Sequence, residues 1–445
     1  MIDHQESSLA SLREKIKQKS ARLAVIGLGY VGLPVACQYA DAGFEVLGIE
    51  HRADRVEIIN SGVSPIEGEE PGLKELVERV ISSGKMRATT NYQELFDIDV
   101  ILIAVETPVD RTNQPRYQAL RSAVCSLGPV LKEGAMVIVE STIAPGTMTD
   151  VVLPLLEESS GKKVNQDFFL GNCPERVMPG KLLLNLKNLS RVLGGMSPET
   201  ANTMQLLYKQ VINGELDVTD CITAELVKTV ENTYRDVQIA FANEVALICE
   251  AVGGDVWKVR DLVNKTPYRQ MHLPGAGVGG HCIPKDPLLL AYGVRDKEVS
   301  LRLIPAARTV NNAMPMHIVD LLADGFSEVG KTLHGTRILV LGYSYLEDSD
   351  DTRNSPSEVL VRALKDQGAQ VIVHDPFVSQ YTGDLYAKAS GCDAAVLMVK
   401  HKQYSQIDLN ALKSSLHTPV FVDGRGFYNT NDFSDWIYRK VGMGN

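Results

Sequence analysis

The sequence predicts an α/β protein: two Rossmann-like doubly wound parallel-sheet domains joined by a long central helix and a helical middle region. Three observations carry that expectation. An apolar strand, Arg22-Leu23-Ala24-Val25-Ile26, runs directly into Gly27-Leu28-Gly29-Tyr30-Val31-Gly32, a glycine spacing that suits a tight strand-to-helix turn. An apolar helical pattern fills residues 221–252. Strand and helix alternate again after the break Val329-Gly330-Lys331-Thr332-Leu333-His334-Gly335.

Composition narrows the class. A chain of 445 residues holds two or three domains. Its 44% hydrophobic and 22% charged residues are those of an ordinary globular protein. A net charge of −10 leaves no domain-scale basic surface for nucleic acid, so any anionic ligand must be held by local basic side chains and backbone amides. The seven cysteines, an odd number without metal-type pairing, predict a reducing, cytoplasmic setting and no metal site. Residues 1–20 are charged rather than signal-like and predict a surface helix, with Leu9, Leu12 and Ile16 on one weakly apolar face. No apolar run approaches the ~18 residues of a membrane span.

Residues 21–215 read as a dinucleotide-binding domain. Gly27, Gly29 and Gly32 allow close approach of a pyrophosphate, which the amides around Tyr30 and Val31 meet at a helix N-terminus. The second strand, Phe44–Glu50, ends in an acid placed to bond both ribose hydroxyls, so Glu50 favours NAD over NADP, with Arg55 weakening that preference. Further strands are expected at 99–105, 135–140, 168–171 and 191–193. Thr107 and Thr142 at strand ends are nicotinamide-side candidates, or simply turn residues. The strand at 168–171 runs into Cys173-Pro174-Glu175-Arg176-Val177-Met178-Pro179-Gly180.

Residues 216–330 form the central helical domain. Its helix at 221–252 is apolar around much of its circumference and is expected to be a buried spine and a possible dimer seam. Lys228, Asn232 and Arg235 make a polar stripe at i, i+4 and i+7, either solvated or facing a cleft. Then comes Pro274-Gly-Ala-Gly-Val-Gly-Gly-His281-Cys282-Ile-Pro-Lys285-Asp286-Pro287. Lys285, and His281 when protonated, would favour a thiolate at Cys282. The alternative is a Gly-Pro turn with an inert cysteine. Residues 331–445 form a second α/β domain, where Arg353 and Arg425 at strand ends could clamp a phosphate.

Taken together, these motifs resemble the UDP-glucose/GDP-mannose dehydrogenase family from about residue 21 to 440. The resemblance implies oxidation of the 6-hydroxymethyl of a nucleotide sugar to a carboxylate, with two NAD and one water. The segment 173–180, His281 before Cys282, His272 and Arg235 resemble the branch acting on UDP-N-acetylhexosamines: UDP-N-acetylmannosamine first, UDP-N-acetylglucosamine next, UDP-glucose as the alternative. Pro179 stands where the UDP-glucose branch usually has a second glutamate, and Leu346, after Tyr345, where a lysine is common.

The implied site follows from that chemistry. Cys282 would hold the aldehyde as a thiohemiacetal and then a thioester. Lys228 and Asn232 would stabilise oxyanions. Glu175 or Asp286 would activate water; the resemblance favours Glu175 as the base, with Asp286 orienting the water or Lys228. Arg176, Val177, Arg235, His272, Gly279, Tyr345, Arg353 and Arg425 would contact the UDP-sugar, and the enzyme would be a homodimer or larger. A non-covalent two-electron dehydrogenase and an idle nucleotide-binding regulator are the readings outside this class.

Overall fold

The computed structural model describes residues 2–66, 68, 70–177 and 180–444, with the backbone alone for 2–6. Met178 and Pro179, and with them the comparison drawn at Pro179, lie outside the described residues. The chain divides into two compact units, one of residues 1–231 and 288–298, the other of 232–287 and 299–445.

The first unit is built on an eight-stranded sheet: β1 Arg22–Ile26, β2 Glu45–Ile49, β3 Met86–Thr89, β4 Val100–Ile103, β5 Ala135–Val139, β6 Phe168–Asn172, β7 Arg191–Gly195 and β8 Leu216–Asp220. Their order is β3-β2-β1-β4-β5-β6-β7-β8. The strand β1 pairs in parallel with β2 and β4, and every pair through β6 is parallel. The β6–β7 pair is antiparallel, and β8 follows β7. The doubly wound sheet therefore ends in two reversed strands. Central strands such as β5 are buried along their whole length, and their continuous apolar runs show why they were legible. Two edge strands of this sheet escaped the sequence reading: β3 is short, and β8 is a largely exposed Leu-Asp-Val-Thr-Asp.

Helix α1, Ile2–Lys17, is more than surface decoration. Leu9, Leu12 and Ile16 are buried in the core of the first unit. Helix α2, Gly32–Asp41, leaves the glycine turn and packs on β1 and β2. Helix α3, Pro198–Tyr208, starts with Ser197 as its cap, accepting from the Thr200 amide.

The 32-residue helix α4, Cys221–Val252, is about 48 Å long. It contributes to both units, whose division falls between Glu231 and Asn232. The expectation of a buried spine needs correction: Val230, Tyr234, Phe241 and Ile248 are exposed, Phe241 by 58%. They stand 4, 7 and 7 residues apart, which keeps them on one side of the helix. An apolar pattern in sequence cannot tell whether a chain covers its own helix.

The remainder of the central helical region holds two helices, a short one at Asp286–Tyr292 and the long α5, Leu303–Ser327. In the second unit a five-stranded parallel sheet follows: β9 Arg337–Leu341, β10 Gln370–His374, β11 Cys392–Leu397, β12 Leu416–Asp423 and β13 Ile437–Lys440, in the order β10-β9-β11-β12-β13. Helix α6, Pro356–Asp366, follows β9, with Ser355 as its cap. No helix among the described residues is long and apolar enough to cross a membrane.

Candidate active site

In the first unit the glycine turn has the shape a dinucleotide needs. A Cβ on Gly32 would fall 1.9 Å from the Gly27 carbonyl oxygen, so only glycine permits this closeness of turn and helix. A Cβ on Gly29 would meet nothing within 4 Å, which leaves open space in front of the α2 N-terminus for a phosphate group. Val31 sits at the N-cap of α2, and the Tyr30 hydroxyl donates to Glu70. Glu70 also accepts from the Gly180 and Leu182 amides, so the loop beyond β6 is tied to the glycine turn.

Glu50 is buried at the end of β2, accepting from the Arg52 amide at 3.1 Å. Arg55 lies 3.8 Å from its carboxylate and donates to the Leu28 carbonyl inside the glycine turn. A buried acid thus follows β2, with a cation beside it. Hydrogen bonds to a charged group are worth ~1.5–3 kcal/mol, so Glu50→Ala should raise KM for NAD roughly tenfold or more. It should also narrow the preference over NADP, which kcat/KM for the two cofactors would measure.

The ends of β4, β5 and β6 converge. The Thr107 hydroxyl donates to the Thr142 carbonyl at 2.6 Å, and Ser141 to the Val105 carbonyl at 2.6 Å. Glu175 is buried; it accepts from Arg191 Nη1 at 2.7 Å and from the Val177 amide. The neighbouring Arg176 turns away, donating to Ser190 at 2.9 Å and pairing with Glu231 on α4 at 2.7 Å. Arg191 is thus the counter-ion that sequence reasoning missed, and its only sequence signal is a charge opening a buried strand.

Behind it, burial pushes Glu140 up to about 7, although Tyr208 donates to it at 2.6 Å. A carboxyl held protonated in the fold stabilises at low pH, and that stability is lost as pH rises from 4.5 through about 7. Wild type should therefore lose thermal stability relative to Glu140→Gln across that window. Parallel melting curves that stayed parallel at every pH would contradict this.

Helix α4 carries Lys228 and Asn232 one turn apart, Lys228 buried and Asn232 half-buried. Arg235 is exposed, so this end of the stripe is solvated; the buried polar side chain next along this face is Asp236. Arg235 and then Arg260 help burial to hold His272 below the ordinary histidine range.

The glycine-rich loop of the second unit presents Cys282 as an exposed thiol. Five of the seven cysteines are buried, and burial pushes Cys37, Cys173 and Cys221 up to about 12, far from a reactive thiolate. Asp286, fully buried, accepts from Asn232 Nδ2 at 2.5 Å, and Lys285 Nζ lies 3.9 Å from it. His281 does not supply the expected positive charge. Burial, then Lys285 and Arg353, drive it down to about 4, so it is neutral at physiological pH.

The loop leans on the second sheet. A Cβ on Gly280 would fall 2.6 Å from the Tyr345 ring, and Gly279 is equally close to Tyr345 and Pro356. Burial, with Asp351 and Cys282 adding to it, pushes Tyr345 up to about 12. The two arginines expected to clamp a phosphate already have partners. Arg353 is paired with Asp351, and Arg425 donates to the Met398 and Gly277 carbonyls at 2.7 and 3.3 Å. Leu346 lends its carbonyl to the Ser344 hydroxyl at 2.8 Å.

Comparison with known proteins settles the class. Three domains of the UDP-glucose/GDP-mannose dehydrogenase family match in order: the NAD binding domain at residues 21–212, the central domain at 222–313 and the UDP binding domain at 339–430. The UDP-N-acetyl-D-mannosamine dehydrogenase of Pyrococcus horikoshii is 36% identical over 423 residues, 95% of this chain and 99% of that one. The chain belongs to the UDP-glucose/GDP-mannose dehydrogenase family. The solved structure of the Pyrococcus protein superposes with a TM-score of 0.90 over the same shares of the two chains. An NDP-N-acetyl-D-galactosaminuronic acid dehydrogenase from Ralstonia nicotianae is 35% identical over 92% of this chain and 96% of its own. The structure of one from Methanosarcina mazei Go1 is 35% identical with a TM-score of 0.87, covering 97% and 98%. This dehydrogenase is thus an NAD-dependent oxidoreductase with a UDP-binding domain. NAD would be held by Gly27–Gly32 and Glu50, whose open cradle fits it.

Proposed function

We propose that this dehydrogenase oxidises the 6-hydroxymethyl of a UDP-N-acetylhexosamine, UDP-N-acetylmannosamine first, to the uronate. The observation that carries the reading is the exposed Cys282 on a clamped loop beside the Asn232–Asp286 pair. NAD, when bound, supplies the hydride acceptor for both oxidations. The alcohol loses a hydride and a proton to give the aldehyde, and the Cys282 sulfur adds to its carbonyl carbon. The thiohemiacetal loses a second hydride and proton to become a thioester. Water then cleaves the C–S bond, releasing carboxylate and thiol.

Each residue has a part in that sequence. Lys228 and the second N–H of the Asn232 amide donate to the oxygen as charge develops on it. Glu175 takes a proton from the water, with the Arg191 ion pair holding its carboxylate in place, and Asp286 orients the water. Thr107 and Thr142 border the nicotinamide end. Arg176, Val177, Arg235, His272, Gly279, Tyr345, Arg353 and Arg425 line the path of the UDP-sugar, Arg353 and Arg425 through donors not already given to Asp351 and the carbonyls. The seven free thiols suit a reducing cytoplasm, and the uronate would serve cell-surface glycan synthesis.

The deciding assay is NADH release with product stoichiometry over UDP-N-acetylmannosamine, UDP-N-acetylglucosamine, UDP-N-acetylgalactosamine, UDP-glucose and GDP-mannose. Two NADH per uronate supports the proposal. One NADH would indicate a two-electron dehydrogenase without a covalent step, and none would indicate a regulator.

A second copy of the chain would cover the exposed stripe of α4. Phe241→Asp places a charge in that face and should shift the sedimentation profile from dimer to monomer. An unaltered profile would place the contact elsewhere.

A further inference from the structure

We propose that helix α4 sets the reach of Cys282 by gripping both ends of its loop, with Asn232 at the exit and Asn243 at the entry, so that Asn243 is a positioning residue for the thiol. This rests on the reading of Cys282 as the nucleophile. The two asparagines are 11 residues apart, about three helical turns, which puts them on the same face of α4 roughly 16 Å apart. Asn232 Nδ2 donates to the Asp286 carboxylate at 2.5 Å. Asn243 Oδ1 accepts from the Gly275 amide at 2.8 Å. Gly275 opens the loop, Asp286 ends it, and Cys282 lies between them.

Asn243 is fully buried. An asparagine there is a poor helix former, and burying its amide costs free energy unless every polar atom is matched. Its Nδ2 donates to Asn311 Oδ1 on α5 at 2.9 Å. Asn311 in turn donates to the Asp236 carbonyl at 2.9 Å and carboxylate at 2.7 Å. Arg308 closes the chain on that carboxylate at 2.5 Å. The orientation of the Asn243 amide is therefore fixed by α5 and by the ion pair at Asp236, with its acceptor aimed at the loop. A leucine would fill such a site without a polar partner, but it would leave the Gly275 amide without its bond.

The remaining contacts divide the loop into short spans. Arg425 Nη1 donates to the Gly277 carbonyl at 3.3 Å. The Gly280 amide donates to the Arg353 carbonyl at 3.0 Å, and Asn354 donates to the Gly280 carbonyl at 3.0 Å. The Cys282 carbonyl accepts from the Lys285 and Asp286 amides at 3.1 and 2.8 Å, which joins the thiol's residue to the end that Asn232 holds. With both ends referred to one rigid helix, the sulfur has little freedom along α4.

The experiment compares Asn243→Ala, with Asn243→Ser in reserve if the alanine variant does not fold, and Asn311→Ala. It measures kcat, both KM values and the rate of Cys282 alkylation by iodoacetamide. A misplacement near 1 Å can cost up to about 100-fold, so kcat should fall roughly 10- to 100-fold in Asn243→Ala with both KM values within about twofold. The alkylation rate should change with it, and Asn311→Ala should fall between the variant and wild type. A folded Asn243 variant with wild-type kcat, or with lowered kcat and unaltered alkylation, overturns the proposal. Cys282→Ser run alongside separates the two ideas: full uronate production by that variant defeats the nucleophile reading whatever Asn243 does.

Discussion

Cys282→Ser is expected to abolish uronate formation while leaving NAD and UDP-sugar binding intact. A hydroxyl in place of the thiol is a far weaker nucleophile at neutral pH, so the aldehyde is not held for its second oxidation. The fall in kcat should be at least about 1,000-fold, the scale on which loss of a covalent nucleophile acts. The surviving reaction, if any, should release NADH in a single burst and stop. Mass spectrometry of the product and rapid-mixing absorbance would read both. Steady release of two NADH per sugar by the serine variant would remove the thioester from the scheme. The structure makes the substitution clean: Cys282 is exposed, so exchanging sulfur for oxygen opens no cavity in a core.

The second large effect is expected at Lys228. It is buried on α4, one turn before Asn232. An ammonium presented to an oxygen that gains negative charge only in the transition state stabilises that state selectively. Lys228→Met keeps the stem and removes the charge, so kcat should fall about 100- to 1,000-fold, with KM for NAD nearly unchanged. A variant whose KM rises while kcat stays put would instead make Lys228 a substrate-binding group. The same substitution at Lys285 is the useful contrast. That lysine lies 3.9 Å from the Asp286 carboxylate, and its loss should act through the loop rather than at the reacting oxygen.

Much of this architecture was readable before any coordinates. The turn from β1 into α2 is legible because tight packing of Gly32 against Gly27 tolerates no side chain, and that demand writes itself into the sequence. Likewise, the crowding of Gly279 and Gly280 against Tyr345 explains why the cysteine loop is glycine-dense. What local spacing could not reveal are pairings across long separations. Arg191 finds Glu175 from another strand, and Asn311 finds Asn243 from another helix. Neither arginine nor asparagine stands out in its own segment. His281 misled for a related reason: its charge depends on burial and on Arg353, 72 positions further along the chain. The reversed strand β7 was also hidden, since a buried strand has the same apolar pattern in either direction.

Helix α1 bears on how this enzyme is best produced. The recognisable sheet begins at residue 22, which invites a recombinant version starting there. Such trimming would strip away the hydrocarbon of Leu9, Leu12 and Ile16, together with the grip of Arg13 on Thr203 and of Lys15 on Asp99, each at 2.8 Å. The shortened polypeptide would meet water with an oily furrow where a ridge used to lie, and it should precipitate rather than purify.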